Sequence, residues 1–294
     1  MAEQTAMHQA VRRTLAYMDV FAYPLTDNEL HRFLEGIPAE PAAVQTAVAH
    51  LLAESRPRIA RTGRYLHLPG RERIIGRRTE REQVAAQLWP RARAYGRLIS
   101  HLPFVRMVAV TGSLAMNNTA AGADIDFLIV TANDRLWLCR AAVIALVRLA
   151  ARRGVLLCPN YFISERALRF QEQNLYTAHE LVQMVPLAGQ QVYYRLRRLN
   201  RWTAAYLPNA ADEIPAVVNG SSPWQPMWEL PLRTPPARWL ERWEMGRKIE
   251  KYSSAAAEKV ETHFTADRCK GHFTPHGRHT LRAYRQRLNG HNHG

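Results

Sequence analysis

The spacing of apolar positions along the chain changes several times, and each change marks an element. Over residues 8–20, Val11, Leu15 and Met18 recur at helical spacing. Phe21-Ala22-Tyr23-Pro24 ends that helix, because the Pro24 ring disfavours the α region at Tyr23. In Thr26-Asp27-Asn28-Glu29 the Thr26 hydroxyl can accept from the Glu29 N–H while the Glu29 carboxylate reaches back. That capping box opens a second helix, expected to end near Gly36. A third helix is expected from Pro41, a favoured first position, to about Glu54, burying Val44, Val48, Leu51 and Leu52. Ile59 to Leu68 alternates around Thr62-Gly63, which predicts a short hairpin.

From Arg71 to about Ser100 the pattern predicts one long helix or a pair broken at Pro90. Phe104 to Val110 and Phe127 to Val130 are apolar strand runs. Asn133 is placed to cap a helix running through Arg153, with Gly154 ending it. A further strand is expected over Val155 to Ser164. Beyond it, Asn174 to Pro186, Gly189 to Tyr206 and Trp239 to His263 are expected to be helical. They are separated by a Pro-rich connection at 207–236 that includes Ser221-Ser222-Pro223-Trp224. Tyr193, Tyr194, Trp202 and Tyr206 fall at spacings that suit helix packing. Lys248 and Lys251 read either as a solvated face or as a phosphate clamp over a site.

Composition narrows this picture. With 294 residues and 47% hydrophobic content, the chain can bury a core and is not of the disordered class. The formal charge of +15 favours polyanionic partners, nucleotides or nucleic acid, although an arginine-rich background would give the same excess. The arginines of 71–100 allow the same two readings, a solvated helix or a basic ridge beside a phosphate-bearing ligand. Cys139, Cys158 and Cys269 show no CxxC or zinc spacing, and read as ordinary reduced thiols. The His-containing tail from His263 to His293 also fits no zinc pattern. No apolar run resembles a signal peptide, and Leu136 to Ala151 is too short and too charged to span a bilayer. The expectation is a cytoplasmic protein without a membrane partner.

The candidate chemistry lies between the first two strands. Alternate residues of a strand share a face, so Asp124 and Asp126 project the same way while Ile125 and Phe127 enter the core. Two carboxylates so placed repel each other unless a cation lies beside them, and Mg²⁺ is the usual ion where oxygen ligands share it with phosphates. Upstream, Gly112 lets the backbone approach a phosphate closely, and Ser113 adds a hydroxyl.

Gly112-Ser113, a ten-residue spacer, then Asp124-Ile125-Asp126 resembles the signature of the nucleotidyltransferase superfamily, the DNA polymerase beta-like fold. Three helices followed by a hairpin over residues 8–69 resemble a winged helix-turn-helix domain. The resemblances imply an α+β organisation: a winged-helix-like domain at 1–70, a connecting helix at 71–100, a nucleotidyltransferase core with a mixed sheet at 101–170, and a mostly helical region at 171–294. They imply that Asp124 and Asp126 hold Mg²⁺ (or Mn²⁺) on a nucleoside triphosphate, that Gly112 and Ser113 grip its phosphates, and that a nucleoside monophosphate passes to an acceptor with loss of pyrophosphate. Small molecule, RNA and protein all remain open as acceptor. The family's usual third carboxylate is replaced here by Asn160, which accepts no proton near neutral pH. Three outcomes remain open: no protein base is needed, another acid such as Glu180 substitutes, or the domain binds nucleotide without turnover. A regulator that binds nucleotide or DNA is the alternative function. The third helix of the N-terminal domain, the usual DNA reader, carries no Arg or Lys, and Gln45 is its main long polar side chain.

Overall fold

The computed structural model describes residues 2–211, 225–256, 264–270 and 276–290. The Ser221–Trp224 segment and His263, His272, His291 and His293 lie outside the described residues. The protein is α+β, with one mixed five-stranded sheet among the described residues. No described helix is long and apolar enough to cross a membrane.

The N-terminal unit comprises α1 (Ala2–Asp19), α2 (Asp27–Arg32), α3 (Pro41–Ala53) and an antiparallel hairpin of β1 (Ala60–Thr62) and β2 (Tyr65–His67). The capping box forms: Glu29 N–H donates to Thr26 Oγ1 at 3.3 Å, and Thr26 N–H donates to Glu29 Oε2 at 2.9 Å. From there α4 (Arg73–Ser100) runs unbroken through Pro90. Proline removes one helix hydrogen bond, while Ala85, Ala92 and Ile99 pack into the core beneath the sheet and hold both halves of α4 in one run.

The sheet begins with β3 (Val105–Val110), followed by the single turn α5 (Gly112–Ala115), β4 (Ile125–Thr131), α6 (Leu136–Ala151) and β5 (Leu157–Ser164). β3 and β4 are antiparallel; β4 and β5 are parallel, joined by α6. Asn133 does not cap α6. Its Oδ1 accepts from Arg166 N–H at 3.1 Å, and the α6 N-terminus is capped from elsewhere, by Glu241 accepting from the Trp137 and Leu138 N–H groups at 2.8 Å each.

The remaining elements are α7 (Leu175–Gln183), β6 (Val185–Ala188), α8 (Gln190–Leu199), α9 (Pro208–Ala211), α10 (Gln225–Glu229), α11 (Pro235–Ala256), β7 (Arg268–Lys270) and α12 (His276–Gly290). The expectation of a purely helical run from Asn174 to Pro186 needs correction. The helix stops at Gln183, and β6 pairs antiparallel with β3. Pro186 cannot donate to a ladder, and β6 lies at the sheet edge, where that is tolerated. The sheet order is β6-β3-β4-β5-β7, so the stretch expected to be mostly helical supplies both edge strands.

Both faces of the sheet are covered. Ile125, Phe127 and Ile129 face the core built with α4 and α6, and Leu128 and Val130 face the core built with α7 and α8. Asp126 shares parity with Leu128, which places its carboxylate on the α7 side. The N-terminal unit is not a separate body, since Leu175, Ala178 and Val182 of α7 and Tyr284 of α12 join its hydrophobic core.

His179 sits in that junction, its ring stacked on Tyr17 at 4.1 Å and within 5.6 Å of Phe33, with Gln183 Nε2 3.1 Å from its Nδ1. Burial pushes its pKa down to about 3. The folded state therefore keeps His179 neutral where the unfolded chain, with an ordinary value near 6.5, takes up a proton. Its contribution to stability is complete above pH ~6.5 and is lost as pH falls toward 3, by up to roughly 4 kcal/mol. Denaturant melts from pH 7 to pH 4 should show a slope that flattens in His179→Phe. Comparing the two proteins removes the contributions of Asp126 and Glu180, whose raised values act in the opposite direction.

Candidate active site

Asp124 directly precedes β4 and Asp126 is its second residue. Together with Cys158 they place one ligand atom each within 4.8 Å of one another. Cys158 is opposite Asp126 in the parallel register, and its thiol hydrogen-bonds to both carboxylates. An irregularity in that pairing follows, and Asn160 Nδ2 donates to Asp126 Oδ1 at 3.1 Å. Asn160 thus touches Asp126 directly, as a donor.

Gly112 lies across from Asp126. The Thr111 N–H donates to the Asp126 carbonyl at 3.0 Å, tying the end of β3 to β4. Gly112 then turns with φ +64°, in the left-handed region, and a Cβ there would come within 2.3 Å of Asp126 Oδ2. Both the conformation and the space require glycine. Gly112→Ala is expected to lower stability by about 1–3 kcal/mol through the strained φ, and also to displace the Asp126 carboxylate. Thermal melting reads the first effect and nucleotide titration the second. Ser113, next in chain, holds the loop that follows: its carbonyl accepts from Asn118 N–H at 2.9 Å, and its hydroxyl lies 3.5 Å from the Thr119 hydroxyl.

The electrostatics are those of a crowded acidic corner. Burial, then the charges of Asp124 and Glu180, push the Asp126 carboxyl up to about 7 against the hydrogen bonds from Cys158 and Asn160. Burial and the same two aspartates raise the Cys158 thiol, keeping it protonated. Glu180, on α7, is likewise pushed up to about 7 by burial, offset only in part by Lys270. Two carboxylates crowded together fit a divalent cation, and oxygen donors fit Mg²⁺. Mn²⁺ takes the same oxygen donors.

Asp126, Gly112, Ser113, Asn160 and Glu180 line one cavity of about 700 Å³. Thr111 lines it too, and its buried hydroxyl has no hydrogen-bond partner among the described residues. Asp124 is exposed at the outer side of the acid pair. Comparison of the chain with models of known protein families, with curated proteins and with solved structures returned no match.

Sequence reasoning treated Cys158 as an ordinary thiol; Cys139 and Cys269 are buried, but Cys158 is half-exposed among the acids. Its shared parity with Asn160 on the expected strand was the available signal. Glu165, the acid nearest to Asn160 in sequence beyond β5, lies 3.9 Å from Arg106, at the other end of that strand. Lys248 is not part of this cavity. It lies 3.8 Å from Glu244 on α11, which covers α6 on the opposite side of the sheet; the side chain of Lys251 lies outside the described residues. Lys270, from the unanticipated strand β7, lines the cavity instead. Of the arginine-rich helix, Arg78 is buried rather than solvated, and Arg81 donates to Asn118 Oδ1 at 3.1 Å beside the site.

Proposed function

We propose that this protein is a nucleotidyltransferase that moves a nucleoside monophosphate from a nucleoside triphosphate to an acceptor, with release of pyrophosphate. The observation that carries the reading is the placement of Asp126 against the Gly112 turn, with Asp124 beside it, at the edge of a cavity large enough for a nucleotide. A bound Mg²⁺ or Mn²⁺, held by the two aspartates, would neutralise charge on the attacking and leaving oxygens.

The chain's own residues carry the other tasks. Gly112 admits the backbone to the triphosphate, and the Ser113 and Thr111 hydroxyls offer it hydrogen bonds. Asn160 orients Asp126. Glu180 is the acid on the same cavity wall that can take the acceptor's proton, the role Asn160 cannot fill. The N-terminal unit has the element order of a winged helix-turn-helix domain, but the exposed side of α3 presents Gln45, Thr46, Ala49 and His50 with no Arg or Lys. Duplex DNA recognition draws its affinity from such cations, so the DNA-binding regulator is the weaker reading. Equilibrium titration with a nucleoside triphosphate decides between outcomes. Binding should require Mg²⁺ or Mn²⁺, and binding that ignores the metal would remove the assignment.

A further inference from the structure

One wall of the cavity comes from outside the sheet. Tyr17, Phe21 and Tyr23 of the N-terminal unit line it together with Asp126 and Glu180. That wall is anchored on several sides. Asp19 pairs with Arg71, just before α4, at 2.6 Å and with Arg287 of α12. The Phe21 carbonyl accepts from Arg81 at 3.0 Å and from Asn118 at 3.1 Å, so the segment is bound both to α4 and to the loop after Ser113. Tyr17 is locked by its stack on His179.

The size and chemistry of the space follow from this closure. About 700 Å³ lies within the ~300–1,000 Å³ usual for small-molecule sites. It can hold a nucleotide beside a compact second molecule. Aromatic rings from α1 and the following turn meet Tyr161 and Phe170 around it, so the second molecule needs an apolar body. The Glu180 carboxylate has no hydrogen-bond partner among the described residues, and Lys270 only partly offsets its burial. Lining the cavity, it is placed to accept a hydrogen bond from a ligand's donor.

We infer that the acceptor is a small hydroxyl compound with an aromatic or otherwise apolar body, held in this cavity against the N-terminal aromatic wall and within reach of Glu180. This inference rests on the nucleotidyl-transfer reading. The acceptor's hydroxyl oxygen attacks the α-phosphorus. A new oxygen–phosphorus bond forms as the bond to the bridging oxygen of the β-phosphate breaks, pyrophosphate leaves, and the hydroxyl proton passes to the Glu180 carboxylate. The winged-helix-like unit then serves as part of the substrate pocket and not as a reader of nucleic acid.

The full chain is incubated with each α-labelled nucleoside triphosphate, Mg²⁺ and cell extract split by ultrafiltration into small molecules and macromolecules. Labelled product is expected from the filtrate only, with one pyrophosphate per product. Glu180→Gln should reduce that labelling by about a hundredfold or more, while Mg²⁺-dependent nucleotide binding and the melting temperature stay near those of the parent. Phe21→Ala, a partly exposed wall position, should weaken acceptor use and leave nucleotide affinity unchanged. Label in RNA, DNA or protein overturns the inference, as does an unlabelled filtrate from a protein that binds the nucleotide with metal. A protein that binds no nucleotide at all loses the nucleotidyl-transfer reading first, and with it this one.

Discussion

Asp126→Ala is expected to abolish Mg²⁺-dependent pyrophosphate release and nucleotide binding, with a loss on the order of a thousandfold or more. Removing one preorganised group that stabilises developing charge commonly costs ~10²–10³ in rate, and here the same side chain would also hold the ion. Several contacts fix Asp126: Asn160 donates to one oxygen, Cys158 hydrogen-bonds to the carboxylate, and Gly112 closes on the other oxygen with no room for a Cβ. Such fixation has no structural benefit by itself, because the carboxylate is desolvated and crowded by Asp124 and Glu180. Asp126→Ala should therefore melt no lower than the parent protein while losing function, the usual signature of a site kept at a cost in stability. Asp124→Ala should lose turnover to a similar degree, though Asp124 is exposed and contributes less to the crowding. The checks are calorimetric titration with metal and nucleotide, a pyrophosphate-release assay and a thermal melt. If Asp126→Ala retains full metal-dependent binding, the aspartate pair is not the metal site.

The contrast between activity and stability at Asp126 also explains which parts of the protein could be read from the sequence. The acid pair, the Gly112 turn and the apolar strand were legible because each is local: strand parity alone places Asp126 with Leu128 and against Ile125. The α2 capping box was legible for the same reason, since Thr26 and Glu29 are three residues apart and form both bonds. What escaped depends on distant partners. β7 has three residues and joins the sheet through its ladder with Tyr161 to Ile163, which no local pattern reveals. The helix over Asn174 to Pro186 lost its end because a four-residue edge strand and one more helical turn look alike in composition. Cys158 became part of the site through its parallel pairing with Asp126, and the aromatic wall through docking of α1 on α7. Both are tertiary facts, and both alter the chemistry by adding a thiol beside the acids and a closed side to the cavity.

Arg78→Ala is expected to destabilise the fold by about 3–5 kcal/mol, the usual cost of stranding buried partners of an ion pair. Charge runs normally face solvent, yet the Arg78 side chain is 4% exposed and reaches into the seam between α4 and the N-terminal unit. Its guanidinium donates to Glu82 at 2.7 Å, to the Pro24 carbonyl at 2.6 Å and to Glu29 at 2.7 Å, and lies 3.8 Å from the centre of the Tyr23 ring. Those partners hold the guanidinium protonated, raising its pKa against burial. Glu29 is at the same time the capping residue of α2 and accepts from the Tyr23 hydroxyl at 2.8 Å. Losing Arg78 thus leaves a half-buried carboxylate, a bare carbonyl and an unsupported Tyr23, and Tyr23 is part of the cavity wall. Arg78→Lys should recover only a minor part, because one ammonium cannot reproduce the planar fork that serves three acceptors and stacks on a ring. Urea denaturation measures the loss, and in a variant that still folds, nucleotide affinity should fall less than use of the acceptor, because Tyr23 is on the wall proposed to hold the acceptor and not at the aspartates. Equal stability in Arg78→Ala and the parent would mean the seam is wet and the N-terminal unit is held by its hydrophobic core alone.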